Sequence, residues 1–368
     1  MINEQRLLDE FLELVQTDSE THHEGNIARL LKEKLEALGL SAEIDNAGKS
    51  CASDGGNVFA RFPGTLASEP IMLSAHMDTV VPGRGVKPQI RDGVIYTDGT
   101  TVLGGDDKGG IAAILEAVRT IKENDLPHRD VEIVFSISEE IGLAGAKAFD
   151  SSKLKAKRAY IFDNGGATGS CTTRAAARTQ FTAEITGRRS HAGSAPEKGI
   201  SAIQVAAKAI ANMNLLYVDE NTSCNIGTIR SEFENNVVPD KCFLSAEVRS
   251  YTQEGLDGQV EHMKKCLQDA CDKFGATLDF AVEPAYALYS IAPESAVFQE
   301  FTAAVESLGC EVKTKSGKGG TDANVYNFRG IEALPVGIGM AKINTTDEYI
   351  KIENLNNSAR LALALMTR

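Results

Sequence analysis

The chain has 368 residues, 42% of them hydrophobic and 24% charged, an ordinary globular composition with material for about two domains. A formal net charge of −13, with no basic run interleaved with aromatics, excludes a nucleic-acid footprint and leaves acidity as an aid to solubility. No stretch is long enough to span a bilayer, so no membrane partner is expected. The opening Met1-Ile2-Asn3-Glu4-Gln5-Arg6 carries charge where a signal peptide needs an apolar segment, so a cytoplasmic location is expected.

The seven cysteines are scattered from Cys51 to Cys310 with no Cys-x-x-Cys pair, which reads as reduced structural thiols, not a disulfide framework or a zinc ribbon. Leu7, Leu8, Phe11, Leu14 and Val15 follow a helical period, as do Ile27, Leu30, Leu31, Leu35 and Leu38, and Gly39 stops that second helix. His22 and His23 between them read as a solvated loop, since no apolar wall accompanies them. Strands are predicted at 57–62, 71–75, 131–137 and 159–162, with an apolar helix from Gly109 to about Lys122. Runs this apolar, alternating with helices, predict an α/β fold whose mostly parallel sheet is flanked by helices, and ligands in such sheets sit at the carboxyl ends of the strands.

Near residue 176 the texture changes. Strands at 179–187, 223–229, 242–248 and 277–282 alternate with helices at 200–213 and 256–274, the β-α-β-β-α-β order of a ferredoxin-like α+β unit. The first style returns with Val297, Phe298, Phe301 and Val305 and a strand at 333–338. The expected domains are therefore 1–176 with 288–368 as the catalytic part, and an inserted 177–287.

Four polar clusters end the apolar strands or open the apolar helix. In Leu73-Ser74-Ala75-His76-Met77-Asp78 the i, i+2 spacing sends His76 and Asp78 to one side, so that the carboxylate can hold the ring while its other nitrogen faces a metal. By itself this pair reads more readily as a histidine capping a strand end, and the clusters downstream reverse that. Gly104-Gly105-Asp106-Asp107-Lys108-Gly109-Gly110 delivers two acids from a tight turn, with more glycine than a helix start needs. Ser138-Glu139-Glu140 places one glutamate to ligate and its neighbour to reach the water, and Phe162-Asp163-Asn164 adds one more acid. One histidine and at least three carboxylates on one edge form a ligand set for divalent ions, and two zinc ions bridged by a carboxylate would use it well.

The order His76-x-Asp78, Gly105-Asp106-Asp107-Lys108-Gly109, Glu139-Glu140 and Asp163 resembles the M20 metallopeptidases, the dizinc aminoacylase/carboxypeptidase superfamily. The similarity continues through Gly187-Arg188-Arg189-Ser190-His191-Ala192-Gly193, Asn236-Val237-Val238-Pro239-Asp240 to Arg249, and Gly319-Gly320-Thr321-Asp322-Ala323, and so covers nearly the whole chain. Gly-Gly-Thr-Asp, and Asp in place of Glu at 163, most resemble the peptidase T (tripeptide aminopeptidase) branch. The resemblance implies a zinc-peptidase-like fold with a lid or dimerisation domain, a homodimer, and hydrolysis of the first peptide bond of short peptides. It implies that His76 and Asp163 hold one zinc, Asp106 bridges and Glu140 holds the second, with a cis peptide between Asp106 and Asp107. Asp78 would orient His76, Glu139 would be the general base, and His191 would polarise the scissile carbonyl. Asn236, Arg249, Gly320 and Thr321 would bind substrate, although Arg249 alone reads equally as a strand-end ion pair. The family's fifth ligand is a histidine four residues before a glutamate. Asn344 stands there, and amide oxygen is a harder and weaker donor to zinc than imidazole, so the second site is expected to be weak or to take another metal. Two other readings stay open: an N-acyl amino acid amidohydrolase or carboxypeptidase of the same fold, and a non-catalytic peptide binder.

Overall fold

The computed structural model describes residues 1–368 and divides them into two compact units, one of Met1–Arg174, Ser290–Gly317 and Thr321–Arg368, the other of Ala175–Tyr289 with Lys318–Gly320. The first unit opens with helices α1 (Glu4–Gln16) and α2 (Gly25–Ala37). Asn3 caps α1 by accepting from the Arg6 N–H, and Leu7, Phe11, Leu14 and Val15 bury its apolar face. Strands β1 (Ser41–Ile44), β2 (Val58–Phe62) and β3 (Ile71–His76) follow, then helix α3 (Gly105–Glu123) and strands β4 (Val131–Ser136), β5 (Arg158–Asn164) and β6 (Ser170–Ala175). Every residue of β3 and β4 is buried, as expected where helices cover both faces of a sheet.

The second unit contains β7 (Ala177–Thr186), α4 (Ala202–Ile210), β8 (Thr222–Arg230), β9 (Lys241–Ser250), α5 (Gln253–Phe274) and β10 (Thr277–Tyr286). Its sheet runs β8-β9-β7-β10, antiparallel throughout, with the short strand Leu216–Tyr217 beside β8. Burial alternates strictly along β7 and β9, so Phe181, Ala183 and Ile185 meet Leu244, Ala246 and Val248 under Val205 of α4 and Met263 and Leu267 of α5. The other face stays wet.

The chain then completes the first unit with α6 (Ala296–Ser307), β11 (Lys313–Gly317), α7 (Asp322–Phe328), β12 (Glu332–Gly337) and α8 (Ile352–Met366). Its sheet is ordered β1-β2-β4-β3-β5-β12-β6, with β11 against β6. The four inner strands, β4, β3, β5 and β12, are parallel, as the apolar runs predict, and antiparallel pairs close both sides, making the sheet mixed. Helix α3 is buried over most of its length against the sheet, α1 and α8.

Besides β1, β6 and β11, three features lie beyond the predicted elements. Helix α8 buries Leu355, Ala359, Ala362 and Leu365 on the unit's core. Thr321 caps the short α7. A hairpin of Gln89–Arg91 and Val94–Tyr96 turns through Asp92 and Gly93, both at positive φ as the right-handed twist of two strands requires. The seven cysteines are free, and no helix is long and apolar enough to cross a membrane.

Candidate metal centre

The parallel strands β3, β4 and β5 end at His76, Ser136 and Asn164, so His76, Asp163 and the Glu139-Glu140 pair that follows β4 come to one edge. The start of α3 adds Asp106 and Asp107, which are non-helical and joined by a cis peptide, as the resemblance implied. Two groups of ligand atoms converge there: His76, Asp106 and Glu140, and His76, Asp107 and Asp163, with the atoms in each group within 4.8 Å of one another.

His76 is the shared member and its ring is fixed at both nitrogens. Nδ1 donates to the Asp78 carbonyl at 2.9 Å, with the Asp78 carboxylate Oδ1 at 3.4 Å, and Nε2 lies 3.1 Å from Asp106 Oδ1. Carbonyl oxygen only accepts, so Nδ1 carries the proton and Nε2 is the atom available to a metal. Asp78 also does more than face the ring. Its Oδ1 accepts from the Glu139 N–H at 2.9 Å, and its Oδ2 from the Glu140 N–H at 3.3 Å and the Thr21 hydroxyl at 2.8 Å. One carboxylate thus registers the end of β3 against the turn after β4.

The electrostatics leave room for a cation. Burial, with neighbouring acids adding, holds the carboxyls of Glu139, Asp163 and Asp107 well above the ordinary carboxylate range. Glu140 is pushed up to about 7, first by burial and then by Asp106 and Asp78, against the opposing effects of His76 and a hydrogen bond from Asn344. Burial opposes charge on His76 as well, but its bonds to Asp106 and Asp78 outweigh it and raise the imidazole well above its usual value. Asp107 Oδ2 accepts from the His76 backbone N–H at 3.0 Å, while its buried Oδ1 has no hydrogen-bond partner. Acids crowded around one imidazole, with an orphaned oxygen among them, fit divalent metal in place of the missing positive charge.

Asn344, at φ +60, donates its side chain to Glu140, so its loop does reach the cluster; Asp347 beside it is exposed. Glu348, four residues on, is 1% exposed, and its two oxygens accept the N–H groups of Leu103, Gly104 and Asp106, each at 2.8 Å. Buried Glu24 likewise accepts from the Ser138 N–H and hydroxyl, both at 3.0 Å, immediately before Glu139. Asp322 accepts from Ser136 Oγ and keeps a buried Oδ1 unpartnered, and burial lifts its carboxyl to about 6. Asp107, Glu24, Glu348 and Asp322 are missing from the residues singled out by sequence reasoning as ligands, base or substrate binders. Their partners are distant in sequence, and the stretches that contain Asp107, Asp322 and Glu348 do not by themselves assign these contacts.

In the second unit, His191 is exposed in the two-residue strand Ser190–His191, which pairs with Val237–Val238. Its Nδ1 accepts from the N–H groups of Gly193 at 3.1 Å and Ser194 at 3.2 Å. The Asn236 side chain is exposed, and the Asn236 carbonyl accepts from the Ala192 N–H at 2.8 Å, closing the turn beside His191. Arg249 is engaged by the Glu247 carboxylate at 2.8 Å and the Lys318 carbonyl at 2.7 Å. A side chain at Gly320 would collide with the Tyr286 ring, 2.5 Å from where its Cβ would stand. Thr321 accepts from the Ala323 N–H at the start of α7.

The model of Peptidase family M20/M25/M40 matches residues 72–368. Uncharacterized protein YqjE of Bacillus subtilis (strain 168) is 38% identical over 366 residues, covering 100% of this chain and 99% of its own. Peptidase T of Clostridium perfringens (strain SM101 / Type A) is 28% identical, with 97% of both chains covered. Among solved structures, aminopeptidase PepT of Bacillus cereus ATCC 10987 matches with a TM-score of 0.93 at 39% identity, over 100% of this chain and 98% of its own. A tripeptidase of Staphylococcus aureus subsp. aureus Mu50 matches at 0.95 and 40% identity, with the same coverage.

Proposed function

On the premise that the chain belongs to peptidase family M20/M25/M40 and is a peptidase, we propose that it releases the amino-terminal residue of short peptides, tripeptides foremost, as the names of its relatives suggest. The observation that carries this reading is the placement of Glu139, buried beside the two ligand groups with its backbone held on Asp78. His76, Asp106, Glu140 and Asp163 would hold two divalent ions, zinc being the expected one, which would make a water nucleophilic near neutral pH and polarise the scissile carbonyl.

Glu139 takes the proton from the attacking water on its carboxylate and delivers it to the nitrogen of the leaving amine. With Nδ1–H committed to the Asp78 carbonyl, His76 would present Nε2 to a metal. His191 has the complementary tautomer: Nδ1 accepts two backbone N–H groups, so the neutral ring carries its hydrogen on Nε2 and can donate it to the carbonyl oxygen as negative charge develops. Asn236 is proposed to meet the substrate backbone. Arg249 is the weaker candidate for the substrate carboxylate, since Glu247 and Lys318 already use its donors. Cytoplasmic location is proposed on the seven unpaired cysteines, and pairing of two copies through the inserted unit on the resemblance alone.

The test is hydrolysis of a free tripeptide against its N-acetylated form by metal-stripped protein reloaded with zinc, cobalt or manganese. Release of the first residue from the free peptide only is expected. Cleavage of the acetylated peptide would move the chain to the amidohydrolases, and no turnover with any ion would make it a peptide binder.

A further inference from the structure

The whole cluster contains one nitrogen donor. His76 is the histidine of both ligand groups, and every other ligand atom in them is a carboxylate oxygen. Two ions placed here cannot both have imidazole. The two ends of the cluster also differ in access to water: His76, Asp107 and Asp163 are buried, whereas Glu140 is half-buried and Asn344 is exposed. The Asn344 side chain reaches Glu140 and opposes the rise of its carboxyl, as an amide N–H turned toward the carboxylate does.

We propose that the two metal positions are chemically unlike: an inner one, on His76 with Asp163 and the Asp106-Asp107 pair, that retains zinc, and an outer one, on Asp106 and Glu140, that takes a hard, partly hydrated divalent cation such as manganese and exchanges it. Imidazole suits zinc, whereas a site of carboxylate and water oxygens suits manganese or magnesium. Hard ions keep several waters, which the exposed side of Glu140 can accommodate. Asn344 positions Glu140 and does not ligate. The proposal rests on the two-ion reading above, but its test is a measurement of binding, so it stands or falls apart from any hydrolysis.

Metal-stripped full-length protein is loaded with excess zinc, desalted and analysed for metal, and separately given one equivalent of zinc and titrated with manganese, free manganese being followed by its electron paramagnetic resonance signal. Retention of one zinc per chain and uptake of one manganese by the zinc-loaded protein are expected. Glu140→Gln should abolish the manganese uptake and keep the zinc, and His76→Ala should lose the zinc. Asn344→His should raise zinc retention from one to two, since histidine is among the residues that tolerate the positive φ there. Two zinc ions retained by the unmodified protein, or no manganese uptake after one zinc, would overturn the proposal, and both measurements are independent of how any variant folds. A folded Asn344→His protein that still retains one zinc would overturn the role of Asn344.

Discussion

The two units handle polar groups in opposite ways. In the first, parallel strands buried on both faces end in mostly buried carboxylates and a histidine, with His76, Asp78 and Asp107 held by backbone N–H, carbonyl or side-chain partners. In the second, an antiparallel sheet keeps one wet face, and His191 and Asn236 sit on exposed turns stitched together by backbone bonds. Function and stability are therefore entangled in the first unit and separable in the second. A strand end can aim a group at a metal only by burying it, whereas a surface turn can present one at little cost to the fold.

Glu139→Gln should give the largest loss, about 10²- to 10⁴-fold in kcat, with metal content unchanged. A loss under tenfold would remove Glu139 from the chemistry. His191→Ala should lower kcat by about 10²- to 10³-fold while Tm stays where it is, since the ring is exposed. A clear fall in Tm would break the contrast. Glu348→Ala represents the entangled case. It leaves three buried N–H groups without an acceptor, at about 1–3 kcal/mol each, and should lower both urea stability and metal retention. Leu267→Ala in the second unit should cost about 2–5 kcal/mol without changing metal retention.

A further effect is one of pH on metal-free protein. Glu140 and Glu348 titrate near 7 when folded against an ordinary value of 4.5, so both bind protons more tightly in the folded state. The first unit should gain stability as pH falls from about 7 toward 4.5 and lose it as pH rises through 7, at up to about 1.4 kcal/mol per group and pH unit. Glu247 in the second unit has the opposite sign. Burial opposes its charge, but Arg249 and Arg178 hold it below 4.5, so its contribution is present above that value and lost as pH falls further. Hydrogen exchange of each unit's amides across pH 4 to 8 would separate the two trends, and adding metal should reverse the first, because protons then compete with the ion.

Much of this division can be read in the sequence. Apolar runs that end in His76, Glu139 and Asp163 announce strand ends at a site, because only buried strands carry such runs. The strict alternation from Ala177 to Thr186 announces a sheet with one wet face. The Asp92-Gly93 hairpin and the periodic Leu355, Ala359, Ala362 and Leu365 of α8 carry local signals that the predicted elements omit. Glu24 carries none, and although Asp322 and Glu348 lie in stretches that mark the resemblance, the contacts of all three are made to partners over a hundred residues away.

Glu348 also sets an order of events during synthesis. The loop it clasps precedes it by 242 residues, and the whole inserted unit is encoded between them. A nascent chain therefore exposes His76, Asp106 and Glu140 to the cell well before the clasp exists. The candidate metal centre can be clasped only after the inserted unit has been synthesised, so an incomplete chain lacks these three hydrogen bonds.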